Sequence, residues 1–399
     1  MLFRSLLGPT DAADGSVPWG VGLVLELSRR GQDRTAAVRQ RALAALASSL
    51  LAAREGAAAS GAEARENLKG WIALLHHIPA GAAFPQPEKA AGGAASPGVS
   101  GGQLSPATAG LARLAMGTPG KDAGFAGGHT AALDGVDVRK LACRRLANDP
   151  KAMVRRASLQ CLWEVLLVDG SLQEAEARAV GRACQDPSVM VRKQAADVAA
   201  GLLSAFRAPA AAALWFDSVL PHAADAEASV RAKCLESFER LFLEDLGSAA
   251  SREILHRLGV AGPSAVACAG RLMTALAKVN SSRARKLGGA LQALILEQGA
   301  SASAAAAEGE EEGVPPVVVG AWVLLGELAP VSASAINIKK LGEAWAAVSG
   351  RPEGRAARAA LGAIGACARR FKPAEAAAIC EDLVEIGRAS CRERVSTSV

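Results

Sequence analysis

Residues 149–162 read DPKAMVRRASLQCL, and residues 186–199 read DPSVMVRKQAADVA. The same pattern occurs at 33–46 as DRTAAVRQRALAAL and at 225–238 as DAEASVRAKCLESF. Each copy has an aspartate five residues before a Val-Arg pair, and small or apolar residues follow at every fourth position after the valine. Residues four apart lie on one face of an α-helix. The four copies therefore predict four amphipathic helices whose apolar side, including Leu162 and Phe238, is buried against neighbouring helices.

A second helical stretch precedes the aspartate, for example at 138–148 and 173–185. Asp followed by Pro starts a helix well, so we expect Asp149 and Asp186 to be N-caps with proline at the first helical position. One helix pair cannot bury its apolar side alone and must stack on further pairs. A helix-pair repeat of roughly 40 residues with an aspartate in its turn is the HEAT pattern. The sequence thus predicts an all-α fold, a HEAT-repeat α-solenoid (armadillo-like helical superhelix) with disordered insertions.

Composition agrees with a helical protein and excludes several other classes. Only 4% of the 399 residues are aromatic and none is tyrosine, whereas β-sandwiches and β-barrels depend on aromatic and β-branched residues. Eight cysteines without a CxxC pair argue against a zinc ribbon and favour a reducing compartment, the nucleus or the cytoplasm. The formal net charge of +6 permits contact with nucleic acid without requiring it. No charge-free apolar run reaches the length of a membrane span, and no membrane partner is expected.

Composition also changes along the chain and predicts its organisation. We expect N-terminal helices with one HEAT-like repeat at 1–78, a disordered Gly/Pro/Ser/Ala insertion at 79–130, HEAT repeats at 131–297, a flexible acidic loop at 298–316 and further helical repeats at 317–384. Three serine or threonine residues that precede proline in the insertion are candidate phosphorylation sites: Ser96, Ser105 and Thr118.

The tail at 385–399 differs from everything before it. Its sequence EIGRASCRERV corresponds to the translation of a common sequencing-library adapter, and helical periodicity stops after Leu383. We therefore expect the tail to be an artefact, and the natural protein to continue past Val384 with more HEAT helices.

Charged residues supply two sets of candidates. The arginine after each valine is expected to pair with an aspartate of its own or the neighbouring turn, which would form a structural ladder. Its members are Asp33, Arg39, Asp149, Arg155, Asp186, Arg192, Asp225 and Arg231. Other cations concentrate between 139 and 156, where 18 residues carry a net charge of +6. A stacked basic ridge can follow a phosphate backbone, and a solvated helix face is the alternative. The candidate DNA contacts are Arg139, Lys140, Arg144, Arg145, Lys151, Arg156 and Lys193.

Catalytic motifs are not found in the sequence. The adjacent His76 and His77 point in different directions on a helix and do not suit one metal ion. The segment GTPGKD at 117–122 lacks the glycine spacing and the Ser/Thr of a phosphate-binding loop. We therefore expect no enzyme activity, no catalytic or metal-binding residues, no cofactor and no small-molecule substrate.

The run from Asp186 to Phe206 and the run WFDSVLPHAADAEASVRAKCLESFERLFLEDL from Trp215 resemble the D-type HEAT-repeat subunits of the second condensin complex. The order of one repeat, an insertion, further repeats and tryptophan-bearing helices is similar over roughly residues 20–384. The resemblance implies a non-catalytic scaffold subunit in mitotic chromosome condensation, located in the nucleus on chromosomes. Its implied partners are kleisin, the other condensin II subunits with their SMC ATPases, and DNA or chromatin.

Members of that family are much longer, so this chain would be a middle piece. A related subunit of the first condensin complex is the family most easily mistaken for this one. A second interpretation is a solenoid of the transport-receptor or phosphatase-scaffold type, which binds proteins and not DNA. Salt-dependent DNA binding would separate these two functions, because phosphate neutralisation gives a steep salt dependence.

Overall fold

The computed structural model describes residues 26–61, 137–206, 208–307, 314–349 and 354–381, and also Val384. Several expectations lie outside these residues. They concern residues 1–25 and 62–78 of the N-terminal region, the insertion at 79–130 with Ser96, Ser105 and Thr118, and the tail at 385–399. The described residues form helices and no strand, and the helices stack in pairs, so the predicted all-α HEAT-like fold is confirmed. They belong to two compact units, one within residues 1–171 and one within 172–399.

The described part of the first unit contains three helices and a short helical stretch at 26–30. The three are α1 (Ala36–Ser60), α2 (Val138–Asn148) and α3 (Ala152–Asp169). Both α1 and α2 pack against α3. The repeats that begin at Asp33 and Asp149 are therefore direct neighbours in space, although a long insertion separates them in the chain.

The second unit continues the same pairing of helices. Its named α-helices are α4 (Glu174–Cys184), α5 (Val189–Phe206), α6 (Pro209–Leu214), α7 (Ala228–Glu239), α8 (Ala249–Val260), α9 (Pro263–Val279), α10 (Ser281–Ala307), α11 (Pro316–Leu328), α12 (Ile338–Ser349) and α13 (Arg355–Cys367). A further helical stretch covers 373–381. Helices α4, α6, α8, α11 and α13 contact one another in that order, and α5, α7, α9, α10 and α12 do the same. The second unit thus has two rows of stacked helices.

The positions four, eight and twelve residues after the repeat valine form the core of both units, as the pattern predicts. Leu162 is 0% exposed in the first unit, and Phe238 is 2% exposed in the second. The ring of Phe238 also stacks on Phe242, with 4.5 Å between ring centroids. Burying one such side chain contributes about 1.5–3 kcal/mol to stability. The predicted burial of Leu162 and Phe238 is therefore confirmed, and it accounts for the stacking.

The expected N-cap role of Asp149 and Asp186 is wrong. Helix α3 begins at Ala152 with Lys151 as its N-cap residue, and α5 begins at Val189. The Asp149 carboxylate accepts the backbone N–H of Lys151 at 3.0 Å, and Asp186 accepts that of Ser188 at 2.8 Å. Each aspartate therefore accepts the backbone N–H two residues further on and closes a short turn that precedes the helix, which is a common use of aspartate in loops. The prolines lie inside this turn.

The flexible loop expected at 298–316 is also partly wrong. Helix α10 continues through the first part of this segment and ends at Ala307. The segment before that end reads ASASAAAA, and alanine has the highest intrinsic helix propensity. Helix α11 begins at Pro316, with proline at the first helical position, where its missing N–H costs nothing.

Helices α8 and α11 approach each other unusually closely, at two glycines. A Cβ added at Gly320 would come well within 3.0 Å of the carbonyl oxygen of Leu255. A Cβ added at Gly259 would meet the carbonyl oxygen of Pro316 in the same way. Real Cβ atoms do not occur at such distances, so this contact depends on the absence of both side chains.

Two helices of the second unit end in a π-helical turn, at Trp215–Val219 after α6 and at Arg240–Glu244 after α7. Trp215 is buried, and its indole N–H donates to the hydroxyl of Ser237 on α7 at 2.5 Å. Ser251 at the start of α8 is fully buried and donates to the carbonyl oxygen of Asp245 at 2.6 Å. Side chains thus satisfy polar groups around these irregular turns, as burial requires.

Candidate nucleic-acid interface

A buried ion pair holds the two repeats of the first unit together. The guanidinium of Arg39 donates from Nε to Asp149 Oδ2 at 2.7 Å and from Nη2 to Asp149 Oδ1 at 3.0 Å. The Arg39 side chain is 8% exposed and that of Asp149 is 0% exposed. Arg39 Nη1 also donates to the carbonyl oxygens of Asp33 and Arg34 in its own turn. One guanidinium therefore joins its own turn to the carboxylate of the next turn.

Burial alone would raise the pKa of Asp149. The hydrogen bond from Arg39, the backbone N–H of Lys151 and the charges of Arg39 and Arg145 outweigh it, so the pKa of Asp149 lies below its ordinary value. Asp149 is therefore ionised at neutral pH, and the bidentate geometry is the strong form of a charged hydrogen bond.

The second unit contains the same arrangement. Arg192 donates from Nε and Nη2 to Asp225 at 2.9 and 3.1 Å, and from Nη1 to the carbonyl oxygen of Asp186. The remaining ladder arginines also bind their own turns, since Arg155 donates to the Asp149 carbonyl and Arg231 to those of Asp225 and Ala226. Within each unit, the structure therefore places ladder arginines against turn carbonyls, and Arg39 and Arg192 against the next turn's carboxylate.

His222 is a buried neighbour of the ion pair between Arg192 and Asp225, and sequence reasoning missed it. Its Nδ1 lies 3.2 Å from Asp225 Oδ2, and its side chain is 8% exposed. Burial lowers the pKa of His222 more than the Asp225 carboxylate raises it. The imidazole is therefore neutral at physiological pH.

Two of the candidate DNA contacts are engaged inside the first unit. Arg139 is 13% exposed and lies 3.0 Å from the carboxylate of Asp169. Arg145 donates from Nε to the carbonyl oxygen of Gly31 at 3.0 Å and lies 3.8 Å from Asp149. Arg139 therefore connects α2 to the end of α3. The Lys140 side chain, by contrast, is 87% exposed and lies 3.2 Å from the carboxylate of Asp137.

Other cations collect where α2 ends and α3 begins. We define the cationic turn edge as Arg34, Arg144, Arg145 and Lys151. Arg34, Arg144 and Lys151 are exposed, and none of the three has an ion-pair partner in the described part of the chain. Arg144 Nη2 donates to the neutral side-chain oxygen of Gln32 at 3.0 Å, which brings it next to the turn that contains Arg34.

The charges at this edge do not balance. In the described part of these two turns, the carboxylates of Asp33 and Asp149 oppose the four cations of the edge and Arg39, which leaves an excess of three positive charges. The crowding is visible at Arg145, where burial and the nearby charges of Arg39 and Arg144 lower the pKa below its ordinary value. The turn edge therefore has the electrostatic character of an anion-binding surface.

Arg34 was missed in the sequence because it lies outside the basic stretch at 139–156. The available signal was that it follows Asp33, where two other repeats have proline. Of the remaining candidates, Arg156 is exposed on the first turn of α3, and Lys193 is half-buried on α5 in the second unit. Arg156 adds a further cation to the first unit, on the outer side of α3.

Cys161, Cys184 and Cys234 are buried in the helical core. Burial raises the pKa of the thiols of Cys161, Cys184 and Cys234 to about 12, so these cysteines are protonated and unreactive. The described residues contain no group of three His, Cys, Asp or Glu side chains that could hold a metal ion. None of the described helices has the length and apolarity needed to cross a membrane.

Comparisons with known proteins give one weak sequence relative. No protein-family model matches the chain. Over 125 residues the chain is 34% identical to condensin-2 complex subunit D3-L of Xenopus laevis, which covers 30% of this chain and 8% of that protein. The chain therefore spans less than a tenth of the length of this curated relative.

Solved structures give a distant likeness. The crystal structure of Kap121p bound to Ste12p is similar over 88% of this chain and 34% of that one, with 13% identity and a TM-score of 0.28. The crystal structure of Kap121p bound to Nup53p covers 87% of this chain and 33% of that one, with the same identity and TM-score.

Proposed function

We propose that this chain is part of a non-catalytic HEAT-repeat scaffold subunit of a condensin II-like complex, and that its cationic turn edge contacts DNA. The observation that carries the DNA contact is the excess of three positive charges around the turns at 31–35 and 149–151, with three exposed cations that lack an ion-pair partner among the described residues. Exposed arginine and lysine side chains on one rigid edge suit a phosphate backbone.

The geometry supports backbone contact without sequence readout. Arg34 and Lys151 lie in turns, and cations there can contact phosphates, which position a protein on DNA but carry no sequence information. The buried clamp of Arg39 and Asp149 fixes the two turns relative to each other, so the exposed cations keep their spacing. On this proposal Lys140 and Arg156 are secondary contacts, and Lys193 is a separate contact of the second unit.

The condensin part of the proposal rests on the similarity to the Xenopus subunit and on the repeat architecture. It assigns the chain to the nucleus, on condensing chromosomes, with kleisin and the SMC ATPases as partners. The scaffold itself performs no chemistry, and ATP hydrolysis belongs to the partner chains.

Charge reversal at the edge tests the DNA contact. The R144E/K151E variant is expected to bind a short duplex at least about tenfold more weakly than the natural sequence, because two phosphate contacts are lost and replaced by repulsion. Fluorescence anisotropy with a labelled duplex measures this affinity. The matched control is R178E/K339E, since Arg178 and Lys339 are 65% and 84% exposed on other helices. Equal loss in both variants would show a general charge effect and contradict a site at the turn edge.

Co-purification tests the assignment to the complex. The full chain, tagged and expressed in dividing cells of the source organism, is expected to recover a kleisin and two SMC ATPases, identified by mass spectrometry. Variant R144E/K151E should recover the same proteins, because the turn edge is proposed to bind DNA and not the partner subunits. Recovery of transport cargo or phosphatase subunits in place of SMC proteins would contradict the condensin assignment.

A further inference from the structure

A cleft of about 550 Å³ opens in the second unit between α9, α11 and α13. It is remote in the chain from the cationic turn edge, and the proposed function does not use it. Part of its lining is apolar, formed by Pro263, Val266 and Val323. Its floor consists of small residues, Gly326, Ala359 and Gly362. The volume lies in the range of sites that bind a ligand or a short peptide segment.

The floor is close to bare backbone. A Cβ added at Gly326 would lie 2.9 Å from the carbonyl oxygen of Ala359, so α11 and α13 cross closely there. A Cβ added at Gly362 would meet no atom within 4 Å, which shows open space above it. The cleft can therefore admit a main chain to the surface of these two helices.

An acidic side chain lies at one end of this cleft. Glu327 of α11 is half-buried and lies against Gly270 of α9. Among the described residues its carboxylate has no hydrogen-bond or ion-pair partner, and burial raises its pKa above the ordinary value. A desolvated carboxylate without a partner is costly. A basic group that enters the cleft would remove this cost.

Two arginines lie at the N-terminus of α13. Arg355 donates to the carbonyl oxygens of Gly259 and Ala261, which fixes its guanidinium at the cleft wall. Burial and the charge of Arg358 lower the pKa of Arg355. Arg358 is exposed and has no carboxylate partner in the described part of the chain. The cleft thus has one free negative and one free positive group, which do not neutralise each other.

We propose that this cleft binds an extended segment of a partner protein in which a basic and an acidic residue flank an apolar one. The basic side chain pairs with Glu327, and its aliphatic stem packs on Val266 and Val323. The acidic side chain pairs with Arg358, and the apolar residue lies over Ala359 and Gly362. Glu327 offers no partner to a phosphate backbone, and a segment with charges of only one sign would leave one of the two charged groups of the cleft unmatched.

Selection from a phage-displayed library of random heptapeptides tests this proposal, with the full chain as bait and the E327Q/R358Q variant as a parallel bait. The natural sequence is expected to enrich peptides that have a Lys or Arg and an Asp or Glu on either side of an apolar residue. The double variant should not enrich them. Because the substitutions remove no ion pair or hydrogen bond of the described residues and neutralise the desolvated Glu327 carboxylate, the double variant should unfold at or above the temperature of the natural sequence.

A thermodynamic cycle then assigns each contact. The E327Q variant is expected to bind a selected synthetic peptide about tenfold more weakly than the natural sequence does. The two proteins should bind equally once the basic residue of that peptide is replaced by glutamine. R358Q should behave in the same way toward the acidic residue. No enrichment, equal enrichment on both baits, or peptides lacking either charge would overturn the proposal. Its failure would leave the DNA contact of the first unit untouched.

Discussion

Replacing Asp149 with alanine is expected to lower the free energy of unfolding by about 3–5 kcal/mol. The substitution leaves the guanidinium of Arg39, which is 8% exposed, without its carboxylate. It also removes the charge that faces Arg145 and the acceptor for the backbone N–H of Lys151. Breaking a buried pair from one side is costly because an uncompensated charge remains away from water. Chemical denaturation followed by circular dichroism measures the change.

The pH dependence of this effect has a definite sign. The pKa of Asp149 is lowered in the folded protein, so the stabilisation by the clamp is present above the ordinary aspartate pKa and is lost as the pH falls through the folded value. The difference between the natural sequence and D149A should therefore be largest at neutral pH and shrink in acid.

The matched control for D149A is R178A. Arg178 and Glu174 form an exposed pair at 3.0 Å, with side chains 65% and 81% exposed. Exposed pairs of this kind contribute about 0.5 kcal/mol or less. If D149A and R178A change stability equally, the buried clamp does not hold the two repeats together.

Replacing Gly320 with alanine is expected to destabilise the protein by about 3 kcal/mol, at the upper end of overpacking costs. The added methyl group would fall well within 3.0 Å of the carbonyl oxygen of Leu255, which is backbone and cannot rotate away. Helices α8 and α11 would have to separate, which would loosen Trp322 and Leu258 in the core. Thermal unfolding measures the loss.

Glycine 289 supplies the control for this prediction. It lies inside α10, and a Cβ added there meets nothing within 4 Å. G289A should therefore stabilise the protein, by up to about 1 kcal/mol, since alanine favours the helix more than glycine. A similar loss in G320A and G289A would mean that the helix contact is not the cause.

Much of the fold follows from local sequence rules. The spacing of Asp, Val-Arg and small residues determines which side of a helix is buried, and Ala42, Ser158, Ala195 and Cys234 all lie in the core. Such a pattern needs only the helical period. The acidic run at 308–312 led to the prediction of a loop that begins at 298, whereas the alanine-rich segment before it belongs to α10. Composition alone does not show where a helix ends.

The candidate site was less predictable, since it depends on partners far apart in the chain. Arg139 pairs with Asp169, 30 residues away, and Arg144 meets Gln32 across 112 residues. Arg355 binds the carbonyl oxygen of Gly259 across 96 residues, although its local sequence has no repeat signature. A sequence pattern shows that a cationic side chain is present. Only the fold shows whether that side chain already binds a carboxylate or a carbonyl oxygen.

The most direct test of the central claim is the salt dependence of DNA binding. If Arg34, Arg144 and Lys151 each neutralise a phosphate, the logarithm of the association constant should fall with the logarithm of salt concentration with a slope of about −3. The R144E/K151E variant should be shallower by about two units, and the R178E/K339E control should keep the original slope. A slope near zero for the natural sequence, or an unchanged slope in R144E/K151E, would contradict a DNA contact at the cationic turn edge.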